Sequence, residues 1–160
     1  RADAISHNAA ISACEKGCVW RAALSLLAAM PAAKSNADTI TCNAAISACE
    51  KSGLWHCALI VFAILREQRV LPDAITCSAT ISACEKAGRW QKALGVFARF
   101  GPFKLNPSIT AYNAVVTACE KRGRWLEAVA IFGAMCTQRD GDTYNAAIGV
   151  CERSSEWNAA

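Results

Sequence analysis

"SACEKSGLW", residues 47–55, decides the fold because the chain repeats it. The phrase returns as SACEKGCVW at 12–20, SACEKAGRW at 82–90 and TACEKRGRW at 117–125. A worn copy, GVCERSSEW, stands at 149–157. Trp20, Trp55, Trp90 and Trp125 are therefore 35 residues apart, and Trp157 follows after 32. A fixed period of this length marks an array of stacked units rather than one irregular core.

Outward from the phrase, each period holds two apolar helical stripes. In AITCSATISACEKA, residues 74–87, Cys77, Thr80, Ile81 and Cys84 recur at i, i+3, i+4, i+7, while Ile75, Ser78, Ser82 and Glu85 share another side. Gly88 suits the left-handed turn that ends a helix. A second helix then opens at Trp90, with Ala93, Leu94 and Phe97 at the same spacing. The other copies read Trp20-Ala23-Leu24-Leu27, Trp55-Ala58-Leu59-Phe62 and Trp125-Ala128-Val129-Phe132. Pro72 and Pro107 stop the second helix and start a connector. One hairpin cannot bury both stripes, so neighbours must stack. The expected fold is all-α: a right-handed superhelical solenoid of stacked antiparallel helix-turn-helix repeats. The tryptophans belong to the second stripe and are expected to pack.

Bulk composition narrows the function. Apolar residues make up 54% of 160 and charged residues 19%, which favours a folded core. No apolar run approaches the roughly 18 residues of a membrane span, so no membrane partner is expected. The net charge of +4 permits a polyanionic partner without demanding one. Of ten cysteines, Cys14, Cys49, Cys84, Cys119 and Cys151 recur at one place in each unit. Stacked helices hold equivalent positions about 8–10 Å apart, too far for a disulfide, and a ladder of single thiols does not converge on a metal. These cysteines are expected to be small buried packing residues in a reducing compartment. No cofactor is expected. The chain opens at Arg1 and closes within a copy, which reads as part of a longer array.

Units of 35 residues with Tyr/Cys-Asn near the start, Ala-Leu-x-x-Phe in the second helix and Pro-Asp at the end resemble the pentatricopeptide repeat family. On that resemblance the units are 4–38, 39–73, 74–108 and 109–140, with a partial fifth from 141 to 160 and the tail of a preceding unit at 1–3. The family binds single-stranded RNA in organelles, chloroplast or mitochondrion, one base per repeat. Its base-reading residues are the fifth and last of a unit. Here these are Asn8 with Asp38, Asn43 with Asp73, Ser78 with Ser108 and Asn113 with Asp140, and then Asn145 in the partial unit. Asn with Asp implies uracil, and Ser with Ser implies no assigned base, so the expected reading is U-U-N-U. Ile5, Ile40 and Ile75 match the position that packs on base faces, from which Thr110 and Asp142 depart. Lys16, Lys51, Lys86, Lys121 and Arg153 fill the family's basic thirteenth place, beside phosphate. They equally complement the negative helix ends on which they sit.

One column opposes phosphate. Glu15, Glu50, Glu85, Glu120 and Glu152 lie seven residues after the fifth position and share its face. They repel RNA unless they pair with the neighbouring basic column, and such pairing is open to them between units, since neighbours in one helix diverge by about 100°. No catalytic constellation stands out. His7 and His56 occupy different places in their units, and His7 replaces the Tyr or Cys of other copies as a packing residue. The expectation is a non-enzymatic RNA binder in RNA processing, stability, translation or editing, with other RNA-processing proteins as further partners. The alternative is a scaffold that holds a protein or peptide on its concave face.

Overall fold

The computed structural model describes residues 4–17, 19–30, 38–67, 70–134 and 148. Among these residues are eight helices in chain order: α1 Ala4–Lys16, α2 Trp20–Ala29, α3 Thr39–Lys51, α4 Trp55–Glu67, α5 Ala74–Lys86, α6 Trp90–Phe97, α7 Ile109–Glu120 and α8 Trp125–Ala134. There is no strand among the described residues, and no described helix is long and apolar enough to cross a membrane. The chain is an all-α solenoid of antiparallel helical hairpins.

Local chemistry sets the boundaries. Asp38, Asp73 and Ser108 cap α3, α5 and α7, each side chain accepting from the backbone N–H three residues on. These caps satisfy amide donors that a helix start leaves without partners. Gly53, Gly88 and Gly123 have φ of 71°, 64° and 63° and reverse the chain between paired helices. The amide after each glycine then reaches back to a cysteine carbonyl: Leu54 to Cys49, Arg89 to Cys84, and Arg124 to Cys119, at 2.8–3.0 Å. Glycine takes such angles without the steric cost other residues meet.

The first helices α1, α3, α5 and α7 stack directly on one another. The second helices pack on their own partner and on the first helix of the next unit. Side-chain size explains the asymmetry. Ala44, Ala45, Ala48 and Cys49 of α3 are buried and small, so α3 approaches its neighbours closely. The second helices carry Trp, Leu and Phe instead, which hold them apart. Small side chains on one row and large ones on the other put the first helices on the inner side.

Cys77, Thr80, Ile81 and Cys84 are all fully buried, as their spacing predicts. In the second helices the buried positions include Ala23 and Leu27 of α2, Cys57, Ala58, Val61, Phe62 and Leu65 of α4, Ala93 and Val96 of α6, and Ala128 of α8. Trp20, Trp55, Trp90, Leu59, Leu94 and Phe97 pack at the margin of that core. The Trp-Ala-Leu-Phe line is therefore kept at its Ala positions and at Leu27 and Phe62, and widened by Cys57, Val61, Leu65 and Val96, because each second helix is wedged between two first helices rather than one. Arg89 lies over the Trp55 ring at 5.0 Å and Arg124 over Trp90 at 4.7 Å, so the next unit covers these indoles. His7 is buried.

Candidate nucleic-acid interface

The last residue of each unit is also the cap of the next first helix, and this double position builds the site. Asp38 and Asp73 present one carboxylate oxygen to the helix end: Oδ1 accepts from the Thr41 N–H at 2.8 Å and the Thr76 N–H at 2.7 Å. The other faces back to the preceding unit. Asn8 Nδ2 donates to Asp38 Oδ2 at 3.1 Å, and Asn43 Nδ2 donates to Asp73 Oδ2 at the same distance. Residues 30 apart in sequence thus meet at each seam between units.

A third residue joins each pair. The Thr41 hydroxyl bonds Asn8 Oδ1, and the Thr76 hydroxyl reaches Asn43 Oδ1 at 2.5 Å. Each hydroxyl also contacts the capping carboxylate, at 2.6 Å from Asp38 and 2.8 Å from Asp73. Neither threonine stood out in the sequence reading. The available signal was their place three residues after each Asp, which capping chemistry alone also explains.

The third unit differs. Ser78 donates back to the Ala74 carbonyl of its own helix at 2.7 Å and lies 3.3 Å from the Ser108 hydroxyl. Ser108 also contacts Thr110 at 2.7 Å. No amide is offered there. Asn113 lies on α7, while Asp140, Asn145, Arg153 and the side chain of Ile5 fall outside the described residues.

Ile40 and Ile75 stand 68% and 67% exposed beside these groups. Each begins a run on the open face of its helix that continues through the fifth residue and a serine to the glutamate, as Ile40, Asn43, Ser47 and Glu50. Between successive first helices lie shallow notches. One of about 450 Å³ touches Asn43, Ile75, Ser78 and Ser108, and one of about 380 Å³ touches Ile40, Asn43, Asp73 and Ile75.

The acidic and basic columns meet across the seams. Glu15 accepts from Lys51 at 3.0 Å and Ser47 at 2.9 Å. Glu50 accepts from Lys86 and Ser82, both at 2.8 Å. Glu85 pairs with Lys121. Every one of these lysines therefore spends charge on the glutamate one unit earlier, while its side chain keeps 44–49% of its exposure.

Burial alone would raise the Glu15 carboxyl. The Lys51 and Ser47 hydrogen bonds, with the Lys51 and Lys16 charges, outweigh it and hold the group below its ordinary value. Burial likewise opposes ionisation of Asp38, but hydrogen bonds from the Thr41 hydroxyl and amide and from Asn8 leave it depressed. The thiols behave oppositely, since burial without compensating donors pushes Cys49 up to about 12 and Cys84 and Cys119 up to about 11. They are inert packing groups at neutral pH.

Family models agree with this architecture. One described as a pentatricopeptide repeat domain matches residues 25–86 and 71–122, and one described as a PPR repeat matches 110–139. Among solved structures, the pentatricopeptide repeat protein PPR10, from maize, in complex with an 18-nt psaJ RNA element superposes with a TM-score of 0.77 at 25% identity. That match covers 99% of this chain and 24% of PPR10, so the present chain spans about a quarter of that protein. The PPR domain of Arabidopsis thaliana protein-only RNase P 1, in complex with tRNA, superposes with a TM-score of 0.82 at 13% identity, covering 93% and 80% of the two chains. This second likeness concerns the fold. No curated protein sequence matches the chain.

Proposed function

We propose, from the premise that this chain belongs to the pentatricopeptide repeat family, that it binds single-stranded RNA along the inner row of first helices, one base per unit. The observation that carries the reading is the pair of Asn–Asp contacts at successive seams. Each Asn leaves one amide N–H and one oxygen lone pair unspent, which together match the donor and acceptor edge of a pyrimidine. The neighbouring Ile40 and Ile75 offer exposed apolar surface against which a base face can lie. The RNA-bound state of PPR10 supports the same polymer as ligand.

The proposed reading is U-U-N-U from 5′ to 3′ along the chain. Asn8 with Asp38, Asn43 with Asp73 and Asn113 with Asp140 select uracil, and Ser78 with Ser108 leaves the third base unassigned. Lys51, Lys86 and Lys121 face phosphate with charge already shared with glutamate, so they contribute less attraction than free lysines. The role is occupancy of an organellar transcript, in which bound RNA is shielded or presented to a processing partner.

Fluorescence anisotropy with short RNAs carrying UUNU, AAAA or CCCC tests this. UUNU should bind preferentially. Lys86→Ala should weaken every RNA alike, whereas Asn43→Ala should weaken chiefly those with U at the second base. Absence of binding at low salt by a chain that keeps its helical circular dichroism would defeat the RNA reading and leave a protein ligand for the inner face.

A further inference from the structure

The geometry points to Thr41 and Thr76 as specificity-determining positioning residues: each holds the acceptor end of the base-reading amide of the unit before it. The inference rests on the RNA reading above and adds a third member to each reading set. Asp38 and Asp73 hold only the nitrogen end of Asn8 and Asn43, at 3.1 Å. An amide held at one atom can still turn about that contact and carry its oxygen away from the ligand. The Thr76 hydroxyl reaches the oxygen end of Asn43 at 2.5 Å and the Thr41 hydroxyl reaches that of Asn8, each sharing its one proton between that oxygen and the capping carboxylate. Held at both atoms, the amide presents one donor and one acceptor in a fixed order. Uracil offers an N–H between carbonyls where cytosine offers a ring acceptor beside an amino group, so that order separates the two pyrimidines.

Two further observations carry the point. Thr41 and Thr76 are 1% and 0% exposed, so their hydroxyls are locked in place and cannot serve a ligand directly. The chain also provides its own contrast. Asn8–Asp38 is followed by Thr41, Asn43–Asp73 by Thr76 and Asn113–Asp140 by Thr143, whereas Ser78–Ser108 is followed by Ala111. Ser108 still caps α7 with Ala111 in that place, so the cap forms without a threonine. The hydroxyl accompanies the amide, which is what a positioning role requires.

The test uses the full 160-residue chain and RNAs that differ only in U or C at the second base. Thr76→Val keeps the side-chain volume and removes the hydroxyl, while Thr76→Ser keeps the hydroxyl. The expected result is a loss of about fivefold in U-over-C preference for Thr76→Val, the factor one hydrogen bond carries. Thr76→Ser should retain the preference, and discrimination at the first base should be unchanged in both. A gain-of-function arm asks the converse at the third base. Ser78→Asn with Ser108→Asp should acquire full uracil preference only when Ala111→Thr is added. Undiminished preference in a folded Thr76→Val chain, or equal preference with and without Ala111→Thr, overturns the proposal and leaves an N-cap partner only. A parent chain with no preference at any base overturns the RNA reading, and this inference with it.

Discussion

Asn43 has already spent one amide proton on Asp73 and one oxygen lone pair on Thr76 before any ligand arrives. Such preorganisation cuts the entropy lost on binding, because the reading group need not be immobilised afterwards. Truncating it should therefore show as lost discrimination. Asn43→Ala is expected to lower affinity about tenfold for RNA with U at the second base, and far less for other bases, in competition anisotropy. The carboxylates beside these amides make a separate prediction. Asp38 and Glu15 are both held below their ordinary values in the folded chain, so the unfolded chain takes up their protons first. Their stabilising contribution is complete above the unfolded values and drains away as pH falls through the folded ones. The melting temperature should hold steady from about pH 7 to about pH 5 and fall below about pH 4. Asp38→Asn should flatten part of that fall.

At the scale of the helical hairpin, two glycines of the third unit behave oppositely. Gly88 sits at φ 64° in the turn between α5 and α6, and a Cβ there would stand 3.2 Å from the Arg122 guanidinium. Gly95 lies within α6 with nothing near the place of its missing Cβ. Gly88→Ala is expected to destabilise by about 1–2 kcal/mol from the left-handed angle alone, and Gly95→Ala to stabilise by about 0.5–1 kcal/mol from helix propensity. Urea denaturation of the two variants should therefore shift in opposite directions. A shift of both the same way would show that the turn angle is not what Gly88 provides.

Across the whole array, on the proposed RNA reading, the Glu–Lys pairs set how strongly the inner face attracts phosphate. A free basic column would give a log–log salt slope of roughly −3. The pairs Glu15–Lys51, Glu50–Lys86 and Glu85–Lys121 divert that charge, so the slope of the parent chain should be shallower. Replacing Glu15, Glu50 and Glu85 together by Gln frees those lysines. RNA affinity at low salt should rise and the slope should steepen by about 2. An unchanged slope would mean that the lysines lie away from the phosphate path. Fold stability should change little, because partly exposed ion pairs contribute roughly 0–1 kcal/mol each.

By itself the sequence determined the period, the hairpin and the burial of the first stripe. A 35-residue step in tryptophan and cysteine leaves no other way to bury Cys77, Thr80, Ile81 and Cys84. These features are legible because they rest on contacts within one unit, copied along the chain. What crosses a seam was legible only in outline: neighbours on one helix diverge by about 100°, which opens Glu–Lys pairing between units without naming the partner. That Glu50 takes Lys86, 36 residues on, came only with the stacking. The roles of Thr41 and Thr76 were hidden for the same reason, since a threonine three residues past an Asp reads as a cap until stacking brings the previous unit's amide against it. Only the tertiary structure decided these partners, because the approach of one hairpin to the next is set by the small side chains of the first helices. That approach fixes which polar groups meet.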